Sequence, residues 1–436
     1  MSLAPDFVLA GGNVAVPGRI IRGGWVSVRA GRIEATGEGA PPAAVRTVDA
    51  RGRFVLPGFV DTHMHGGLLY QMSAGRYDPA RAAFDDADAR IEEGFERVPR
   101  AHARHGTTSM LVTSGCQSRE ALLRFLRIGS RYAGRTERTG ARVLGLDMEG
   151  PFVRNPAFAG ALDPSNLLEP TPALLEAFAE AAGGQLRKIL VAPEWGASAL
   201  STIRRARDFG IVCSVGHTGC TGDEFRSAVD AGAAVFVHFG NGPSSQDFKR
   251  GGAVDVCLEM RGRVAAELIL DLHHVHPLWV NAFLVALRFQ VLAITDATFL
   301  ALAPDDVREA KFGPYTRILN EERTTVFLKD KPGMLSGSAS TMDRMLGNLL
   351  TLFLYAPVGH VVGPIFDHPL SLDEALVRAL PLFTETPARI YGQEKRLGRI
   401  EPGLLADLVL ARIEDDGRRV SVGVDGVWVE GEPIPA

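Results

Sequence analysis

Residues 57–67 read Pro-Gly-Phe-Val-Asp-Thr-His-Met-His-Gly-Gly, a short apolar run that ends on two histidines one residue apart, His63 and His65. On a strand, residues i and i+2 point the same way, so both imidazoles can reach one ion. The motif recurs along the chain. Apolar runs end on Glu149 in VLGLDMEGP, Glu194 in ILVAPEW, His217 in VCSVGHTG, His238 in VFVHFGN, Asp271 in ELILDLHH and Asp296 in LAITDAT, and one more ends on a Thr-Ser pair in HGTTSMLVTSG. Parallel barrels carry their chemistry at the C-terminal ends of their strands. The series therefore implies metal-assisted hydrolysis on such a scaffold.

Strand and helix patterns alternate between these endings. Candidate strands cover residues 54–61, 107–113, 143–149, 188–192, 211–215, 234–238, 265–271 and 291–296. Helical patterns such as REALLRFLRIGSRYA, PALLEAFAEAA and TGDEFRSAVDAG lie between them, and further helices are expected near 341–355 and 371–391. Eight βα alternations predict an α/β chain built as a (β/α)8 TIM barrel. Active residues at so many strand ends favour closure over a doubly wound sheet. Residues 70–100 read as a long loop running into a helix, a candidate lid or dimer contact. Both chain ends carry short runs rich in Val, Ile and Thr broken by Gly turns, and are expected to pair into one small β-sandwich domain. The division is then 1–57 and 393–436 for the two parts of that domain, and 58–392 for the barrel.

Composition narrows the function classes. The 436 residues are 46% apolar and 22% charged, with a formal net charge of −4. Such a balance suits a globular enzyme and offers no basic surplus to draw nucleic acid. No run of about 20 apolar residues reads as a membrane span. The N-terminus lacks a signal-peptide pattern. Cys116, Cys213, Cys220 and Cys257 are scattered without CxxC spacing, as expected for reduced thiols in a cytoplasmic protein.

His63, His65, Glu149, His217 and His238 together make a nitrogen and oxygen ligand set suited to one or two divalent ions, zinc first. Asp296, beside them, is the general acid/base candidate: it can take a proton from water and return it to a leaving amine. His274 can polarise a substrate carbonyl, but His273, His274 and His276 cannot all face one site. Lys249 and Arg250 are either an anion-binding pair or a solvated one. Glu194 and Asp271 are expected to orient loops or neighbouring ligands.

With these residues in hand the chain resembles the amidohydrolase superfamily and, within it, the N-acetylglucosamine-6-phosphate deacetylase family. LPGFVDTHMHGG, HGTTSMLVTSG, LDMEGPF, VAPE, GHT, HFGN, LILDLHHVHP, ITDA, GMLSGSASTMD and GLLADLVL follow in that family's order over nearly the whole chain. The resemblance implies a hydrolase that removes the acetyl group of an N-acetyl amino sugar, N-acetylglucosamine 6-phosphate first. It gives Glu149, His217 and His238 the core metal site, His63 and His65 a second one, and Asp296 and His274 the catalytic roles. It assigns substrate contacts to Ala161, Asn241, Gly242, Lys249, His274, Leu335, Ser336 and Gly337, with Arg250 beside Lys249. It also implies a homodimer in which Lys249 meets the substrate phosphate across the interface. The chain departs from the family at Leu162, Gly219-Cys220, Gly242-Pro243 and Leu272. Competing expectations are the same chemistry on an unphosphorylated amino sugar or another N-acyl amine, a deaminase or cyclic amidase, and a non-catalytic barrel.

Overall fold

The computed structural model describes residues 4–135, 139–241, 244–247, 249–355, 366, 368 and 370–435. Its centre is a parallel sheet of eight strands in chain order: Phe59–Asp61, Thr107–Ser114, Arg142–Phe152, Leu186–Val191, Val212–Val215, Ala233–Phe236, Ala265–Ile269 and Val291–Ile294. Nearly every residue in these strands is buried, which explains their continuous apolar runs. Amphipathic helices join them. Arg119–Ser130, Pro172–Ala181 and Gly222–Ala231 fall where the sequence pattern puts them, and Ser118, Thr171 and Thr221 cap their free N–H groups. The late helices are Met342–Leu354, Leu372–Phe383 and Glu385–Ile390.

The first and last strands of this sheet meet beyond their ends. Met64 and Ala297 form one parallel bridge, the Asp296 N–H donates to the His63 carbonyl at 2.9 Å, and the His65 N–H donates to the Ala297 carbonyl at 2.8 Å. These bonds fix the first and eighth strand ends, and so His63, His65 and Asp296, against one another.

The two chain ends share one sheet of eight strands, in which Leu408–Asp415 pairs antiparallel with Phe54–Pro57. The expected first barrel strand, 54–61, is therefore two elements. Residues 54–57 belong to the terminal sheet and 59–61 to the parallel one. The chain changes sheet at Gly58, where a Cβ would stand 2.1 Å from the Thr108 hydroxyl oxygen, so only glycine fits.

Two further differences stand out. Residues 70–100 are less of a loop than expected: Gly66–Gly67, Tyr70–Gln71, Gly75–Asp78 and Ala83–Asp85 form a small antiparallel sheet before the helix Asp88–Ala103. A second antiparallel sheet follows the eighth strand, made of Glu309–Phe312, Tyr315–Leu319, Thr325–Leu328 and Leu335–Ser338. Of its strands only the last carries a motif read from the sequence, the LSGS of GMLSGSASTMD, and that motif did not mark it as a sheet. Among the described residues no helix is long and apolar enough to cross a membrane.

Candidate metal centre and active site

The C-terminal ends of the parallel strands open into a cavity of about 840 Å3. At its floor two triads meet: Glu149, His217 and His238, and His63, His65 and Asp296, with each triad's ligand atoms within 4.8 Å of one another. Glu149 Oε1 lies 2.8 Å from His238 Nε2, 3.4 Å from His217 Nε2 and 3.5 Å from His63 Nε2; its Oε2 lies 3.3 Å from His65 Nε2. Asp296 Oδ1 stands 3.2 Å from His65 Nε2. Two ligands each about 2.0–2.1 Å from a shared tetrahedral ion stand roughly 3.3 Å apart, so the spacing fits metal ligation.

The outer ring nitrogens support the same conclusion. His63 Nδ1–H donates to Glu267 Oε2 at 2.9 Å, and His217 Nδ1–H donates to the Phe158 carbonyl at 2.9 Å. In the neutral form of either ring the lone pair is then on Nε2, facing the centre, as metal ligation requires.

The electrostatics also favour a cation. Burial opposes charge on His65, yet Asp296 and Glu149 push its pKa up to about 9. Burial and Lys188 oppose charge on His63, and Glu149 and Glu267 outweigh them, lifting it well above the usual imidazole value. Burial works against ionising Glu149, but His63, His217 and His238 hold it well below the usual carboxylate range. Burial, with His217 beside it, pulls the His238 pKa below the usual imidazole value against the opposing pull of Glu149. The buried carboxylates thus draw positive charge to the centre, as protons on the rings or as a cation that would replace those protons.

Three of these residues, His217, His238 and Asp296, have positive φ, at 48°, 29° and 48°. Each follows a strand end, and the left-handed turn aims its side chain at the centre. Gly337, with φ of 68°, packs so close that a Cβ would stand 2.7 Å from the Asp296 carbonyl oxygen.

Both orienting carboxylates act on loops. Glu194 accepts from the Thr218 hydroxyl and, at 3.0 Å, from the Gly219 N–H, which fixes the loop after His217. Asp271 accepts from the His274 N–H at 2.9 Å and from His274 Nδ1–H at 2.7 Å, leaving Nε2 on the cavity wall without a partner. Burial opposes charge on this ring, but Asp271 outweighs it and raises the pKa above the ordinary value, so Nε2 is held as a donor. His273 also lines the cavity, while His276 instead accepts from the Leu278 N–H at a helix start.

Of the expected substrate contacts, Ala161, Asn241, Leu335, Ser336 and Gly337 line the cavity together with His65, Glu149, His217, His238, His274 and Asp296. His63 lies behind its neighbours, fully buried. Gly242 lies outside the described residues. Lys249 and Arg250 do not line the cavity of their own chain: both are exposed, on a turn whose N–H groups donate to Asp247.

Other groups went unread. Lys188, fully buried under His63, donates to Glu267 at 2.7 Å and lies 3.0 Å from Asp147. The signal was present: each is a charge inside an otherwise apolar run, in RKILV, AAELI and LGLDM. Arg317, on the second antiparallel sheet, lines the cavity and is also buried.

An eight-stranded parallel sheet that gathers imidazoles and carboxylates at one cavity is an arrangement suited to metal-assisted hydrolysis. The sequence pattern of the Amidohydrolase family matches residues 46–140. Among curated proteins, the chain is 28% identical over 90% of both chains to the N-acetylgalactosamine-6-phosphate deacetylase of Escherichia coli O157:H7. It is 29% identical to the N-acetylglucosamine-6-phosphate deacetylase of Bacillus subtilis, over 76% of this chain and 78% of that one. A solved structure of the N-acetyl-D-glucosamine-6-phosphate deacetylase of Mycobacterium smegmatis, a variant in complex with N-acetyl-D-glucosamine-6-phosphate, superposes with a TM-score of 0.79 at 27% identity and 99% coverage of both chains. The resemblance read from the sequence motifs holds: the chain is an amidohydrolase-like enzyme, similar throughout to these deacetylases.

Proposed function

We propose that the protein is a metal-dependent deacetylase that hydrolyses N-acetylglucosamine 6-phosphate to glucosamine 6-phosphate and acetate. The observation that carries this reading is the convergence of Glu149, His217 and His238 with His63, His65 and Asp296 at the cavity floor. Glu149, His217 and His238 would hold one divalent ion, zinc first, and His63 and His65 a second, with Glu149 able to face both. Bound there, the metal would supply Lewis acidity towards the acyl oxygen and a water of lowered pKa.

The chain's own groups do the rest. Asp296 takes the proton from the attacking water. Burial opposes its ionisation, but His65 and His63 hold its pKa below the usual value, so it is ready as a base. It then returns that proton to the departing amine. His274 donates from Nε2 to the acyl oxygen as charge builds there. Ala161, Asn241, Gly242, Leu335, Ser336 and Gly337 are the groups assigned to the sugar.

We read the scaffold as a closed barrel over 58–392, supported by the Met64–Ala297 bridge. The terminal sheet is read as a β-sandwich of 1–57 and 393–436. Residues 31 and 33, at the edge strand Arg32–Gly37, bond to 406 and 404 in the segment that leads into Leu408–Asp415, and a separate apolar core lies within the sheet. A cytoplasmic location is consistent with four free, buried cysteines. The exposed Lys249–Arg250 turn could serve a substrate only across a homodimer.

The galactosamine epimer is a second reading, favoured by the relative from E. coli O157:H7. The test is kcat/KM for both N-acetylhexosamine 6-phosphates and for their unphosphorylated forms, with zinc-loaded protein. The reading expects the phosphorylated glucosamine derivative to lead. Preference for a free sugar or another N-acyl amine would move the substrate and leave the reaction class standing.

A further inference from the structure

We infer that Arg317 is the oxyanion-binding residue of this site, receiving the substrate's phosphate from within the same chain. The inference rests on the deacetylase reading for the identity of the anion, but not for its geometry.

Arg317 is only 6% exposed and lines the cavity. Its Nε–H donates to Ser336 Oγ at 3.0 Å, and Nη1 donates to the Phe312 carbonyl at 2.6 Å. Nη2 has a single long contact, 3.5 Å to the Ala161 carbonyl, so it retains donor capacity. Among the described residues no carboxylate lies within ion-pair distance of the guanidinium. Every partner it has is neutral. Burial draws its pKa down to about 10, which still leaves it charged at neutral pH.

A buried charge is ordinarily paired, because the cost of taking it out of water is otherwise unmet. Here the missing partner has an open cavity in front of it. With Nε and Nη1 occupied, the latter also 3.5 Å from the Tyr315 carbonyl, Nη2 is the group that can donate a charge-assisted hydrogen bond to a phosphate oxygen. The partners also place it. Ser336 and Ala161 belong to the two segments assigned to the sugar, and Gly337, next to Ser336, packs against Asp296. Lys331, in the turn before the last strand of that sheet, donates to the Tyr315 hydroxyl at 2.7 Å and does not line the cavity, which leaves Arg317 as the cation of this sheet that faces it. Lys249 and Arg250 hold no such position in their own chain. The added sheet thus brings a buried cation of the same chain to the cavity, beside the segments assigned to the sugar.

The test uses zinc-loaded full-length protein and two variants, Arg317→Met and Arg317→Lys. KM for N-acetylglucosamine 6-phosphate should rise about ten- to a hundred-fold in Arg317→Met, with a smaller rise in Arg317→Lys. kcat should change far less, because the phosphate does not react. Turnover of unphosphorylated N-acetylglucosamine should be retained, which separates lost recognition from lost folding. Calorimetric binding of glucosamine 6-phosphate should weaken by the same factor and that of glucosamine should not. An equal loss on both sugars makes Arg317 a structural residue and overturns the inference. So does a KM effect confined to Lys249→Met. If the wild-type protein neither turns over nor binds the sugar phosphate, the substrate reading fails on its own. Inorganic phosphate then decides the inference: weaker binding to Arg317→Met upholds it, and equal binding refutes it.

Discussion

Asp296 is held by its neighbours rather than by its own preference. Its φ of 48° is one that L-residues avoid, and its carboxylate faces two imidazoles at the cavity floor. Asp296→Asn keeps the shape and removes the base. It should leave folding and metal content intact and lower kcat by about 10²–10⁴-fold; near-normal turnover would strip Asp296 of its role. Glu267 acts at one remove. Glu267→Gln takes the carboxylate from His63 Nδ1–H and unbalances buried Lys188. Metal affinity should drop by about 10–100-fold, read by equilibrium dialysis. His274 sets the pH dependence. Its pKa is raised by Asp271, so its donor Nε2–H and the stability of the pair are fully present below the ordinary imidazole pKa, about 6.5, and are lost as pH rises through the raised value. In Asp271→Asn that support is gone, so the alkaline limb of kcat should move to lower pH. A limb that stays in place would remove His274 from the proton inventory.

The strands were legible in the sequence because burial on both faces writes a continuous apolar run, and because each run stops at a chemically distinctive residue. What stayed hidden follows from the same physics. The break at Gly58 lies inside one unbroken apolar run, since both sheets bury their parts of it. The sheet of residues 309–338 buries alternate positions in two of its strands, but Arg317, Ser336 and Ser338 fill three of them, so no apolar alternation marks it, and Arg317 went unread with it. Lys188 and Glu267 were masked by the apolar runs around them. The helix Pro277–Ala286 gives a local check on backbone strain. It ends with Arg288 at φ 51°, exposed, and with the Phe289 N–H donating to the Leu284 carbonyl at 2.9 Å, a Schellman-type close. Arg288→Gly should stabilise the protein by up to about 1 kcal/mol in thermal or denaturant unfolding. A loss of stability would mean that the side chain contributes more than the strained φ costs.

At the scale of the molecule, the terminal sheet is tied to the parallel sheet by a buried ion pair. Arg142, in the third parallel strand, donates to both oxygens of Asp407 at 2.7 and 3.2 Å, just before the strand that pairs with residues 54–57. Asp407→Ala leaves a buried guanidinium with a single distant carboxylate, Glu430 at 3.6 Å, and should cost about 3–5 kcal/mol of stability. Because the first parallel strand follows directly from the terminal sheet, that variant should also loosen the site around His63 and His65. The central claim is that buried imidazoles and carboxylates at the strand ends hold a metal that the hydrolysis requires. Its most direct test is acetate release from N-acetylglucosamine 6-phosphate by purified protein before chelation, after it, and after reloading with zinc. The account predicts one acetate per free amine formed, loss of release on chelation and recovery on reloading. Release that persists at full rate in the thoroughly chelated protein, or its absence from the zinc-loaded one, would contradict the account.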